Sequence, residues 1–158
     1  MPLLANWRVD IGKIWGIRIL PQEGRLPEDV LWITRCSKTK SGIIRGTPKE
    51  MYVSAINRYF YRHLERWGKR YGVLSDHYGL HLDNEELPWY DIHPSQLSQE
   101  DKRQLGQVIR NKALREGFRT IIFYAPAPLM SIPYFELLHF SGLKLFYTTR
   151  LTGINGNM

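Results

Sequence analysis

Four short runs of apolar, β-branched and aromatic residues, at 30–34, 71–74, 120–124 and 143–148, punctuate this chain. Between them lie stretches that carry helix signals. Short apolar runs separated in this way are the pattern of buried parallel strands joined by crossover helices. The expected fold is therefore α/β, with a mostly parallel layered sheet and flanking helices. Two further segments, 7–12 and 14–20, read as short β segments and suggest an N-terminal β appendage. The expected organisation is an appendage over 1–28, an α/β domain over 29–150 and a C-terminal tail over 151–158.

The helix signals are local. Thr47-Pro48-Lys49-Glu50 combines a cap, a proline at the first helical position and a capping-box glutamate. Met51, Ala55, Tyr59, Leu64 and Trp67 then supply an approximate apolar face that closes near Gly68. Ser98 and Asp101 cap a second helix running to Gly117, and a short third one spans 133–140 before Gly142. A long loop rich in acids and aromatics is expected between Ser75 and Pro94.

Charge narrows the classes of partner. Twenty-two Lys and Arg face fifteen Asp and Glu, for a net charge of +7, and fourteen of the cations are Arg. Such a balance suits nucleic acid or a phosphorylated ligand, and the arginine bias suits phosphate forks and base stacking. No apolar run is long enough to span a membrane. A single cysteine excludes an internal disulfide. With no secretory pattern at the N-terminus, a cytoplasmic protein without a membrane partner is expected.

In parallel α/β sheets, ligands bind beyond the carboxyl ends of the strands, so the loops after the strands hold the candidates. Cys36-Ser37-Lys38-Thr39-Lys40 offers a thiol, hydroxyls and two ammonium groups after the first body strand. It suits a phosphate or carboxylate, although the P-loop pattern is missing. Cys36 is either a thiol activated by Lys38 and Lys40 or a small residue packed at a strand end, the latter favoured. Ser75, His77, Tyr78 and Gly79 follow the second strand, and Gly79 marks a turn of positive φ or close approach. His77, His81, Asp83, Glu85, Glu86, Asp91 and His93 are metal-type ligands without a standard ligand spacing, so no metal is expected, and no cofactor is expected either. Arg58, Arg62 and Arg66 stand four apart, with Lys69 and Arg70 following, as a candidate nucleic-acid face.

Taken in order, Cys36-Ser37-x-x-Lys40, Tyr52-x-Ser54, Leu74-Ser75-x-x-Tyr78-Gly79-Leu80 and Tyr90-Asp91 form a combination more specific than any one of them. It resembles an uncharacterised prokaryotic domain family with a Cys-Ser-x-x-Lys signature. It is also similar to the wider group holding the YaaA peroxide-stress proteins and a domain of archaeosine synthase. In that group a late Tyr-Phe, matched by Tyr134-Phe135, follows the third strand. The resemblance spans about residues 30–148. It implies a nucleic-acid or nucleobase setting and one cleft lined by Ser37, Lys40, Tyr52, Ser54, Ser75, Tyr78, Tyr90 and Asp91.

In an enzyme, Lys40 would stabilise an anion and Asp91 would act as base or acceptor. Ser37 or Cys36 would be nucleophile or oxyanion donor. The other readings are a non-catalytic basic nucleic-acid-binding module and a small nucleotide-binding regulator.

Overall fold

The computed structural model describes residues 6–21, 26, 28–37, 41–90 and 97–151. Its centre is a six-stranded sheet in the order β1-β8-β7-β2-β4-β5. β2 (Val30–Arg35), β4 (Tyr71–Ser75), β7 (Thr120–Tyr124) and β8 (Lys144–Thr148) are the four strands legible in the apolar runs. All pair in parallel, as does the two-residue β1 (Arg18–Ile19) at the β8 edge. Only β5 (Gly79–Leu82) is antiparallel, folded back on β4. A separate two-stranded pair joins β3 (Arg45–Gly46) to β6 (Leu87–Pro88). The fold is thus the expected α/β class with a mostly parallel sheet.

Neighbouring residues on a strand point to opposite faces, and β7 shows both layers. The Phe123 ring meets Phe135 of α5 (Ile132–Ser141) edge to face at 5.8 Å. The next residue, Tyr124, stacks on Phe60 of α3 (Ala55–Trp67) at 6.1 Å. Helices therefore cover the two faces of the sheet. α4 (Gln99–Arg115) lies beside α5, so close that a Cβ at Gly106 would stand 2.5 Å from the Phe140 Cβ. Ser98 and Asp101 form the expected capping box of α4.

Three local expectations are corrected. Residues 7–12, read as extended, belong to a helix, α1 (Trp7–Trp15). Ile11 and Trp15, four apart, are both buried, and Trp15 packs against Phe135. Gly16, at φ 70°, ends the helix, leaving Arg18–Ile19 as the strand of this region. The single helix expected from Pro48 is two: α2 (Pro48–Met51), then α3, restarted by Ser54, whose Oγ accepts from the Asn57 N–H. The buried face of α3 is Asn57, Phe60, Tyr61 and Leu64, while Ala55 is exposed. The stretch expected as one long loop after Ser75 contains β5 and β6. Gly79 has φ 76°, and a Cβ there would meet the Leu105 carbonyl oxygen at 2.9 Å, so turn and close approach coincide. Among the described residues no helix is long and apolar enough to cross a membrane.

Candidate functional site

β2 and β4 run side by side, so their carboxyl ends bring residues 35–37 and 75–76 together. The Cys36 N–H extends the ladder by donating to the Leu74 carbonyl at 2.9 Å. Its thiol is buried and donates to Asp76 Oδ2 at 3.6 Å. That spends the sulfur's proton, so the Tyr134 hydroxyl, 3.4 Å away, donates to Sγ. Burial, and then the Asp76 carboxylate, push the Cys36 thiol up to about 11. Cys36 is a protonated packing residue here, the second of the two readings its sequence position allowed.

Beside it runs a directed row of hydrogen bonds. His81 Nε2 lies 2.7 Å from the Glu85 carbonyl, which only accepts, so Nε2 carries the proton. Burial depresses the His81 pKa and keeps the ring neutral, so Nδ1 accepts, from the Tyr52 hydroxyl at 3.3 Å. With its proton spent, Tyr52 accepts from the Tyr90 hydroxyl at 3.1 Å. Tyr90 accepts in turn from Ser75 Oγ at 2.8 Å. Ser75 Oγ takes the His77 and Tyr78 N–H groups at 3.1 and 2.9 Å. Burial holds the Tyr52, Tyr90 and Tyr134 hydroxyls well above the ordinary tyrosine range, so none is anionic near neutrality.

Two openings flank the first turn of α3. One is a cavity of about 270 Å³ walled by Arg35, Cys36, Ser37, Ser54, Asn57 and the apolar Ile56 and Met130. Its wall is braced: Asn57 Nδ2 donates to the Arg35 carbonyl at 3.0 Å, and Ser54 Oγ donates to Asn57 Oδ1 at 2.5 Å. The other is a hollow of about 540 Å³ lined by Lys49, Arg58 and Arg62 with Val53, Ala55 and Tyr61. Arg58, Arg62 and Arg66 are exposed and, among the described residues, form no ion pair.

Of the residues singled out from sequence, Cys36, Tyr52, Ser75 and Tyr90 converge, and Ser37 and Ser54 line the adjoining cavity. Tyr78 packs edge-on to Tyr90 and donates to the Pro88 carbonyl at 2.6 Å, which ties β6 to the site. Arg70 departs from the arginine stripe: Asp83 and Glu116 hold its guanidinium. Lys69, beside it, is half-buried. Lys38, Lys40 and Asp91 lie outside the described residues.

Among the described residues no three His, Cys, Asp or Glu side chains gather as metal ligands. His81, Asp83 and Glu85 are engaged instead by Tyr52, Arg70 and Lys112. Sequence reasoning gave no site role to Arg35, Asn57 or Asp76. Asp76 stood inside the Ser75–His77 stretch and Arg35 one residue before the Cys-Ser signature, so adjacency was the available signal. Asn57 carried a subtler one, a short polar residue three after a cap on an otherwise apolar face.

The chain matches no protein-family model, no curated protein and no solved structure.

Proposed function

We propose that this chain is a nucleic-acid- or nucleotide-associated α/β domain. In this reading its cleft at the ends of β2 and β4 receives one nucleotide, while the outer face of α3 holds neighbouring phosphates. The observation that carries it is the placement of the two openings. Residues 54, 56 and 57 face the smaller cavity, whereas 53, 55 and 58 face the basic hollow, so one helical turn separates them. Arg58, Arg62 and Arg66 repel one another at a spacing that costs a few tenths of a kcal/mol per pair. A polyanion along that face offsets the repulsion. The apolar sides of Ile56 and Met130 suit the face of a base.

Binding rather than chemistry is what the described groups favour. The thiol is protonated and the tyrosines are neutral. The catalytic roles of Ser37, Lys40 and Asp91 stand as the second reading, motivated by the order of the sequence motifs.

The test is fluorescence anisotropy with labelled single- and double-stranded DNA and RNA across a salt series. Each neutralised phosphate steepens the log–log slope by about 0.7–0.9. Changing Arg58, Arg62 and Arg66 together to Ala should therefore flatten it by about two to three. Undetectable binding at low salt, or a slope untouched by the triple change, overturns the proposal.

A further inference from the structure

We propose that Arg35 anchors a phosphomonoester subsite inside the 270 Å³ cavity. Arg35 closes β2, paired in register with Leu74, so the strand fixes where its side chain starts. Its Nε is buried and has no hydrogen-bond partner, and no described carboxylate pairs with its guanidinium.

Among the described residues, Arg35 Nε is the one buried side-chain nitrogen or oxygen without a partner, and most of the other half-buried cations have acceptors. Arg70 has Asp83 and Glu116, Lys102 has Glu136, and Lys112 has Glu85 and the Leu80 carbonyl. Arg110 donates to the Ser141 carbonyl. Leaving a charged donor buried without an acceptor is costly. An anion that enters the cavity Arg35 lines would supply this guanidinium with an acceptor.

The chemistry of that acceptor follows from the donor. A guanidinium presents a planar fork that matches a two-oxygen edge, as on phosphate or carboxylate. The neighbouring polar side chains are already committed. Ser54 and Asn57 bond each other, and Asn57 is tied to the Arg35 carbonyl, so they shape the wall around the fork. A cavity of about 270 Å³ exceeds the share of one phosphate and leaves room for what the phosphate is attached to. The choice of phosphate over carboxylate rests on the nucleotide reading above. The anion itself rests on Arg35 alone.

The experiment uses the full chain with Arg35→Met and Arg35→Lys variants. Titrations employ inorganic phosphate, acetate, and one oligonucleotide with either a 5′-phosphate or a 5′-hydroxyl. Phosphate should bind saturably and acetate at least tenfold more weakly. Arg35→Met should lose at least tenfold in phosphate affinity, and Arg35→Lys should retain part of it. The 5′-phosphate should improve oligonucleotide affinity at least tenfold in the parent and not in Arg35→Met, with the salt slope carried by α3 unchanged.

Phosphate binding that depends on Arg35, without any oligonucleotide binding, keeps the subsite and removes the nucleic-acid reading. Equal phosphate affinity in the parent and Arg35→Met, or acetate binding as well as phosphate, overturns the subsite. Unliganded Arg35→Met should melt at or above the parent temperature, because an unpaired buried donor is removed. A large fall would mean that the guanidinium already has a structural partner, which also overturns it.

Discussion

Gly106 sits in the middle of α4, where alanine is the better helix former by about 1 kcal/mol. Gly106→Ala should nevertheless destabilise the protein. The added methyl would stand 2.5 Å from the Phe140 Cβ and 2.7 Å from the Phe140 carbonyl carbon. Unstrained carbons sit about 3.5–4.0 Å apart, so α4 and α5 must separate by roughly 1 Å. The obstacle is backbone and Cβ, which no rotamer change removes. Overpacking of this kind costs about 1–3 kcal/mol, and a backbone clash belongs at the upper end. Subtracting the propensity gain leaves a net loss of about 2 kcal/mol, or roughly 4–8 °C in Tm for a chain of this size.

Gly12 supplies the matched control. It is also a helix-interior glycine, but a Cβ there meets only the Ile17 carbonyl oxygen at an ordinary 3.4 Å. Gly12→Ala should stabilise by about 0.5–1 kcal/mol. Urea unfolding reads both, as opposite shifts in midpoint at unchanged slope. Two alanine variants that shift the same way would refute the helix–helix contact as the reason for glycine at 106.

Tyr90→Phe should cost about 1–3 kcal/mol in urea unfolding, because it strands the Ser75 hydroxyl and leaves Tyr52 without its donor; a neutral result would mean that the row carries no stability. His81 is held below its ordinary value of 6.5, so the unfolded chain binds more protons as the pH falls through that value. Stability should be complete above about pH 6.5 and decline below it, and His81→Gln should flatten that part of a Tm-versus-pH curve. Cys36, about two units above its usual 9.0, should react with iodoacetamide at pH 8 roughly a hundredfold more slowly in the folded chain than in urea. Rapid alkylation without unfolding would contradict the buried, protonated thiol.

The parts of the fold that could be read from sequence are those whose signal is local. β2, β4 and β7 are buried on both faces, so each is an apolar run with nothing to confuse it. Helices α2 and α4 announce themselves through capping boxes. What escaped depends on partners distant in sequence. Ile11 and Trp15 become a helix face because α5 lies beneath them, and over so few residues the pattern also fits a strand. The break between α2 and α3 hides in Ser54, a second cap seven residues after Thr47.

The site divides in the same way. Motif order points to Ser75, Tyr52 and Tyr90, which meet in the hydrogen-bonded row, and the strand-end rule points to Cys36 and Ser37. Arg35 and Asn57 were missed because an arginine closing a strand, or an asparagine on a helix, acquires meaning only when the burial of one atom is known.

The edge strand β1 has a consequence for how the molecule meets its own copies. Arg18 and Ile19 pair with Phe146 and Tyr147, and the Leu20 N–H adds one more bond to the Tyr147 carbonyl. Behind this narrow cover lies β8, Lys144–Thr148, an apolar and aromatic strand whose outer ladder would otherwise face solvent. An unprotected strand of that composition is a template for addition of a foreign one. The segment from Trp7 to Leu20 therefore serves twice, burying Ile11, Trp15, Ile17 and Leu20 in the core and covering an edge prone to self-association. Loss of its few ladder bonds would leave the outer edge of β8 open to pairing with another strand.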